Sequence, residues 1–99
     1  MVEDYPQELV LGEQAEVTLG IVNHEHEHAS YNIRVRWDGE TAQEIGPIGL
    51  ADEEEWRERV VLIPPKAGDD QKVEFLLYKG EGDEPYLALH LWVDVKQEV

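Results

Sequence analysis

The sequence predicts an all-β domain, an immunoglobulin-like antiparallel β-sandwich of about seven strands. Three observations carry this. Apolar residues recur mostly with period two, the repeat of a strand with one buried face. Turn residues return about every eight to twelve positions, the spacing of sandwiches and barrels. No stretch reads as helix without an equally good strand reading.

In chain order, residues 8–12 (ELVLG) form a short first strand, and Pro6 before it fits an edge position, where a missing N–H is harmless. Residues 14–24 alternate, with Ala15, Val17, Leu19 and Ile21 on one face. Residues 30–40 do the same with Tyr31, Ile33, Val35 and Trp37, while Asn32, Arg34 and Arg36 point the other way. Asp38-Gly39 closes this strand with a turn. Residues 41–49 form a weak strand broken at Gly46-Pro47.

Residues 51–65 fit two patterns. Asp52 with Glu55 makes a capping box, and Trp56, Val60 and Ile63 keep helical spacing. Trp56, Glu58, Val60 and Leu62 also keep period two, and the β-rich VVLI run favours a strand, stopped by Pro64-Pro65. Residues 67–70 (AGDD) read as a turn, and 71–80 as a strand with Val73, Phe75 and Leu77 inward. Residues 80–85 (GEGDEP) are a hairpin tip, and 86–95 the last strand, with Leu87, Leu89, Leu91, Val93 and Val95 facing the core. Two sheets packed face to face bury one face of each strand, which is the alternation seen. Trp37 is placed to fill the core. Consecutive strands end at alternate poles, so Asn23–Ser30 lies at one pole with residues 48–55 beside it.

The 99 residues make a single domain spanning 1–99, large enough for one core. No cysteine is present, so neither disulfides nor thiol chemistry contribute, and the redox compartment stays open. Eight basic and 23 acidic residues give a net charge of -15, which repels phosphate and excludes nucleic acid as a partner. An anionic membrane surface is disfavoured for the same reason. No window reaches the roughly 20 apolar residues that span a bilayer, and the opening MVEDYPQ is neither a signal nor a transit peptide.

The most distinctive motif is NHEHEHAS, in which His24, His26 and His28 alternate with Glu25 and Glu27. In a strand the three imidazoles share a face, with neighbours roughly 6.5–7 Å apart. Two of them converge on one ion at about 2.0–2.1 Å, and a third ligand must come from elsewhere. This makes Zn the metal candidate at His24, His26 and His28, against the plain reading of a solvated connection. The acidic loops 51–55, 67–70 and 80–85 are candidates for Ca, although none has the oxygen spacing of an EF-hand. His90 falls on the outer face of the last strand, where Trp92 and Tyr78 lie in phase with it and outline an apolar strip, either exposed as a contact surface or covered by a neighbouring loop or sheet edge. Ser30 is the single serine, and no triad, phosphate loop or dinucleotide fingerprint accompanies it. The chain is therefore read as a non-enzyme, with no catalytic and no cofactor-binding residues.

The segments EDYPQELVLGEQAEVTLGIVNHE, SYNIRVR, LADEEEW, QKVEFLLYK and PYLALHLWVDV together resemble the soluble domain of the domain-of-unknown-function 1616 family. LGIVNHE (19–25) and LHLWV (89–93) are the most specific parts. The resemblance implies the β-rich C-terminal portion of a mainly archaeal membrane protein, an Ig-like domain on the extracytoplasmic side, attached to the membrane only through a segment outside this chain. It supplies no catalytic residues. It also suggests a structural loop at Asn23, His24 and Glu25, in which the Asn23 amide holds a turn and His24 ties the loop down. The expected role is a binding or spacer module whose partner is a protein or a cell-surface polymer. The alternative is a metal-binding module built on the histidine cluster.

Overall fold

The structure, a computed structural model, describes residues 2–3 and 7–97. Eight strands follow one another: β1 (Val2–Glu3), β2 (Glu8–Val10), β3 (Ala15–Val22), β4 (Ala29–Trp37), β5 (Glu40–Leu50), β6 (Glu55–Leu62), β7 (Gly68–Lys79) and β8 (Leu87–Lys96). The described residues contain no helix, and so none long and apolar enough to cross a membrane. A three-stranded sheet runs β1-β3-β6, and a five-stranded sheet runs β2-β8-β7-β4-β5. Every pairing is antiparallel except β2 with β8, which is parallel.

Alternation sets the core. The inward residues of β3 (Val17, Leu19, Ile21) and β6 (Val60, Leu62) meet Tyr31, Ile33 and Val35 of β4, Val73, Phe75 and Leu77 of β7, and Leu91, Val93 and Val95 of β8. Trp37 is also buried, but as the last residue of β4 it sits at the end of the core. There its indole N–H donates to Gln71 Oε1 at 2.6 Å, giving the ring's polar edge a partner. Residues 51–65 resolve in favour of period two. β6 pairs with β3 over eight residues, and residues 51–54 close as a turn with Glu54 N–H donating to the Ala51 carbonyl.

Three expectations are corrected. β5 is not broken at Gly46-Pro47. It runs on as an edge strand, and a register shift between Tyr31 and Ile33 absorbs the irregularity. Pro47 lacks an N–H that an edge strand can spare. Gly46 is required there: its φ is 130°, and a Cβ would come within 2.6 Å of Asn32 Oδ1. Second, residues 67–70 are not a free turn, because β7 starts at Gly68 and carries a bulge before Gln71. Asp70 adopts φ 55° there and donates its N–H to Asp94 Oδ1. Third, the start of β8 does not reach the core. Leu87 is exposed and Leu89 half-buried, although both have the inward phase. The small sheet has no strand opposite this corner among the described residues, since described β1 pairs only with Thr18 and Leu19.

Candidate functional site

Three connections meet at one pole of the sandwich: the β3–β4 loop (23–28), the β5–β6 turn (51–54) and the β7–β8 tip (80–86). Backbone hydrogen bonds join the first two to each other and the third to the start of β4. Asn23 N–H donates to Glu54 O, Glu53 N–H to Asn23 O, and Gly80 N–H to Ser30 O. The pole thus gathers Glu25, Glu27, Asp52, Glu53, Glu54, Glu81, Asp83 and Glu84, with Lys79 at its edge.

Asn23 organises the loop. It is fully buried, a costly place for an amide unless every polar atom is paired. Its Nδ2 donates to Glu27 O at 2.8 Å and Leu50 O at 2.9 Å, and its Oδ1 accepts Glu25 N–H at 2.8 Å. The last bond is an Asx turn. With the two backbone bonds above, one residue ties β3, the loop, β5 and the turn before β6 together. His24 is exposed, so in this loop Asn23 rather than His24 supplies the anchoring.

Glu25 clamps the loop to the other sheet. It accepts the Tyr86 hydroxyl at 2.6 Å and lies 3.0 Å from Lys79 Nζ, which in turn sits 5.8 Å from the Tyr86 ring centroid. The Tyr86 hydrogen bond and then Lys79 hold the Glu25 carboxyl below its ordinary value. The same contacts raise Tyr86 and Lys79, Glu25 being the leading cause for each.

The three histidines lie in this loop, not on a strand face. All three are exposed. His26 has φ 64°, and its N–H donates to Asp52 Oδ1 at 3.1 Å. His28 packs against Gly49 of β5. Among the described residues no three His, Cys, Asp or Glu side chains are grouped to hold a metal ion. His90 is on the outer face of the large sheet, where it meets Trp92 edge-on at 5.9 Å. Tyr78 shares that face but carries Arg34 over its ring at 5.3 Å, so charges interrupt the strip. Ser30 is half-buried within β4.

Two hollows flank the pole. One, of about 400 Å³, is lined by Asn32, Arg34, Glu44, Tyr78 and the tip residues Gly80–Asp83. The other, of about 330 Å³, opens between the two sheets at the exposed start of β8, among Ile21, Val22, Tyr31, Leu77, Tyr86 and Leu87. Sequence reasoning missed this second hollow and the Glu25–Lys79–Tyr86 cluster. The one signal for the hollow in the sequence is the apolar phase of Leu87, which reads as a core position.

A family model described as a domain of unknown function (DUF1616) matches residues 1–94. No curated protein matches the chain. Among solved structures, the chain is similar to the crystal structure of the CARDB domain of the PF1109 protein from Pyrococcus furiosus in complex with di-metal ions. The TM-score is 0.74 at 16% identity, covering 96% of this chain and 89% of that one. A solution NMR structure of the same domain gives 0.74 at 15% identity, covering 93% and 88%. These likenesses establish the fold, an Ig-like β-sandwich.

Proposed function

Because the chain belongs to the DUF1616 family, whose function is unknown, and has the fold of a CARDB domain, we propose that it is a non-enzymatic binding module. It is carried outside the cytoplasm by a membrane-anchored protein, and its working surface is the acidic loop pole. One observation carries this reading: the loops are pinned by Asn23 and clamped by Glu25, so eight carboxylates stand on a pre-organised scaffold. Rigid display lowers the ordering cost of binding. The charge selects basic or cation-bridged partners, either protein or cell-surface polymer. The test is an NMR titration with hexalysine. Saturable shifts concentrated on residues 23–28, 51–54 and 80–86 are expected, whereas shifts spread evenly over all carboxylates would sink the proposal.

A second reading, metal binding at His24, His26 and His28, is supported by their common loop and by the metal ions of the structural neighbour. It predicts reversible Zn²⁺ shifts confined to that loop and lost in His24→Ala. Equal binding by the variant rules it out.

A further inference from the structure

The outer face of the large sheet carries little net charge, in a chain whose total is -15. From β5 across β4 and β7 to Trp92 of β8, its outward lysine, arginine and carboxylate side chains are Arg34, Arg36, Glu44, Lys72 and Glu74. Arg34 bonds Glu44 at 3.0 Å, Lys72 lies 3.9 Å from Glu74, and Arg36 donates to Gly39 O at 2.9 Å. β2 meets this sheet only from Asp94 to Lys96, beyond Trp92, and β1 belongs to the other sheet.

Three rings stand on the same face. Tyr78 lines the hollow of about 400 Å³, and His90 and Trp92 lie further along the sheet. Trp92 is 56% exposed. Register sets the span. Trp92 pairs with Lys72, six residues from Tyr78, so the ends of the row are about 20 Å apart at roughly 3.3 Å per residue. Between them the pair Leu76–Ala88 offers a buried leucine and a methyl group rather than a charge.

The hollow supplies donors and acceptors together. Arg34 uses Nε on Glu44, and its terminal N–H groups have no partner among the described residues. The Asn32 amide makes no side-chain hydrogen bond among them either, and its Oδ1 lies under Gly46, where a Cβ would come within 2.6 Å. Glu81 and Asp83 add carboxylates from the tip, while Gly80 and Gly82 keep that wall bare backbone. A phosphate, sulfate or uronate would face Glu44, Glu81 and Asp83. A basic side chain would face Arg34. An apolar ligand would leave these groups unpaired. A hydroxyl both donates and accepts, so it suits the mixed set. The C–H face of a sugar ring suits an exposed indole.

We infer that this face, from the hollow to Trp92, binds a neutral polysaccharide. One sugar sits in the hollow against Asn32, Arg34 and Tyr78, and another, further along the same chain, stacks on Trp92. The two contacts are linked sites, so a chain long enough to reach both gains over a short one. The inference goes beyond the acidic pole and does not depend on it, because its partner is uncharged, although Glu81 and Asp83 border both surfaces.

The test is an NMR titration with maltohexaose, mannohexaose and chitohexaose, with the matching disaccharides, with hexagalacturonate and with hexalysine. At least one neutral hexasaccharide should give saturable shifts at Asn32, Arg34 Nε, Tyr78 and the Trp92 indole, with a Kd of about 1 mM or below. It should bind about tenfold tighter than its disaccharide. Trp92→Ala, at an exposed site, should bring the hexasaccharide down to the disaccharide's affinity and leave the shifts in the hollow. Asn32→Ala, which loses no internal side-chain bond, should weaken both lengths. No saturable response to any neutral sugar, equal affinity for the two lengths, or equally tight binding of hexagalacturonate overturns the inference. Hexalysine shifts centred on Tyr78 and Trp92 overturn it in favour of a basic protein partner. Hexalysine shifts on the acidic loops with no response to sugar leave the pole reading standing without it, and sugar shifts with no response to hexalysine do the reverse.

Discussion

Asn23 is the residue on which the pole depends most. Replacing it with Ala leaves the Glu27 and Leu50 carbonyls without their donor and removes the acceptor for Glu25 N–H. Each buried unsatisfied group costs about 1–3 kcal/mol, so the loss in urea unfolding should be about 3 kcal/mol. Asn23→Asp keeps the Asx turn but sets a carboxylate against two carbonyls, and should be worse at pH 7 than at pH 4. Glu25 gives the second residue-scale prediction. Its carboxyl is held below the ordinary 4.5, so the clamp's contribution is complete above that pH and is lost as pH falls through the lower folded value. Lys79 and Tyr86 are raised, so the opposite limb is lost only at strongly alkaline pH. Tyr86→Phe removes the largest cause, and the Glu25 titration followed by carboxyl ¹³C NMR should move up toward 4.5. An unchanged midpoint would mean that the hydroxyl does not reach the carboxylate in solution. The turn at Asn23-His24-Glu25 is suggested by the family resemblance, together with the capacity of an Asn side-chain amide to hold a turn. The partners of Glu25 are not legible in the sequence, because Lys79 and Tyr86 come to it only through the register of β4 with β7 and the hairpin beyond.

At the scale of elements, alternation made β3, β4, β6 and most of β7 legible, because one buried face per strand is a local pattern. What stayed hidden were features written by the neighbouring strand. The bulge opening β7 is an instance. Gly-Asp-Asp reads as a turn, yet Gln71 turns it into strand. Gln71 is buried, accepts Trp37 Nε1–H at 2.6 Å, and donates to Lys66 O at 3.1 Å and Gly68 O at 3.0 Å. It thereby joins the end of β4 to the chain leading into β7. Gln71→Leu should cost about 2–3 kcal/mol, because it orphans the indole N–H and two carbonyls. Trp37→Phe in the Gln71→Leu background removes one orphan, so the double variant should fall short of the sum of the two single losses. Additive losses in denaturant melts would show that the two side chains act independently. The same reasoning explains Leu87. Its phase is inward, but whether an inward residue is covered depends on the length of the opposing sheet, and no property of the LALHLWV stretch reports that.

For the whole molecule the deciding quantity is charge, and two effects of salt oppose each other. Seven of the eight cations lie 3.0–3.9 Å from a carboxylate: Arg34, Arg57, Arg59, Lys66, Lys72, Lys79 and Lys96. Screening weakens such pairs, but they are solvent-accessible and each is worth only about 0–1 kcal/mol. Against them stand the carboxylates that a net charge of -15 leaves without a cation, eight of the chain's acids being gathered at one pole. Their mutual repulsion is also screened, and it involves many more pairs of charges over distances comparable to the Debye length of about 10 Å at 0.1 M salt. Relief of repulsion therefore outweighs loss of ion pairing, and the melting temperature should rise with NaCl between roughly 10 and 300 mM. A gain of about 1 kcal/mol corresponds to roughly 4–8 °C for a domain of this size. Neutralising the pole alone, with Glu27, Glu53 and Glu84 changed to Gln, should raise the low-salt melting temperature and flatten its salt dependence. The same three changes should weaken hexalysine binding, because the repulsion that destabilises the free domain is the attraction offered to a basic partner. A triple variant with a steeper salt dependence than the parent would mean that ion pairs, not crowded carboxylates, govern the stability of this fold.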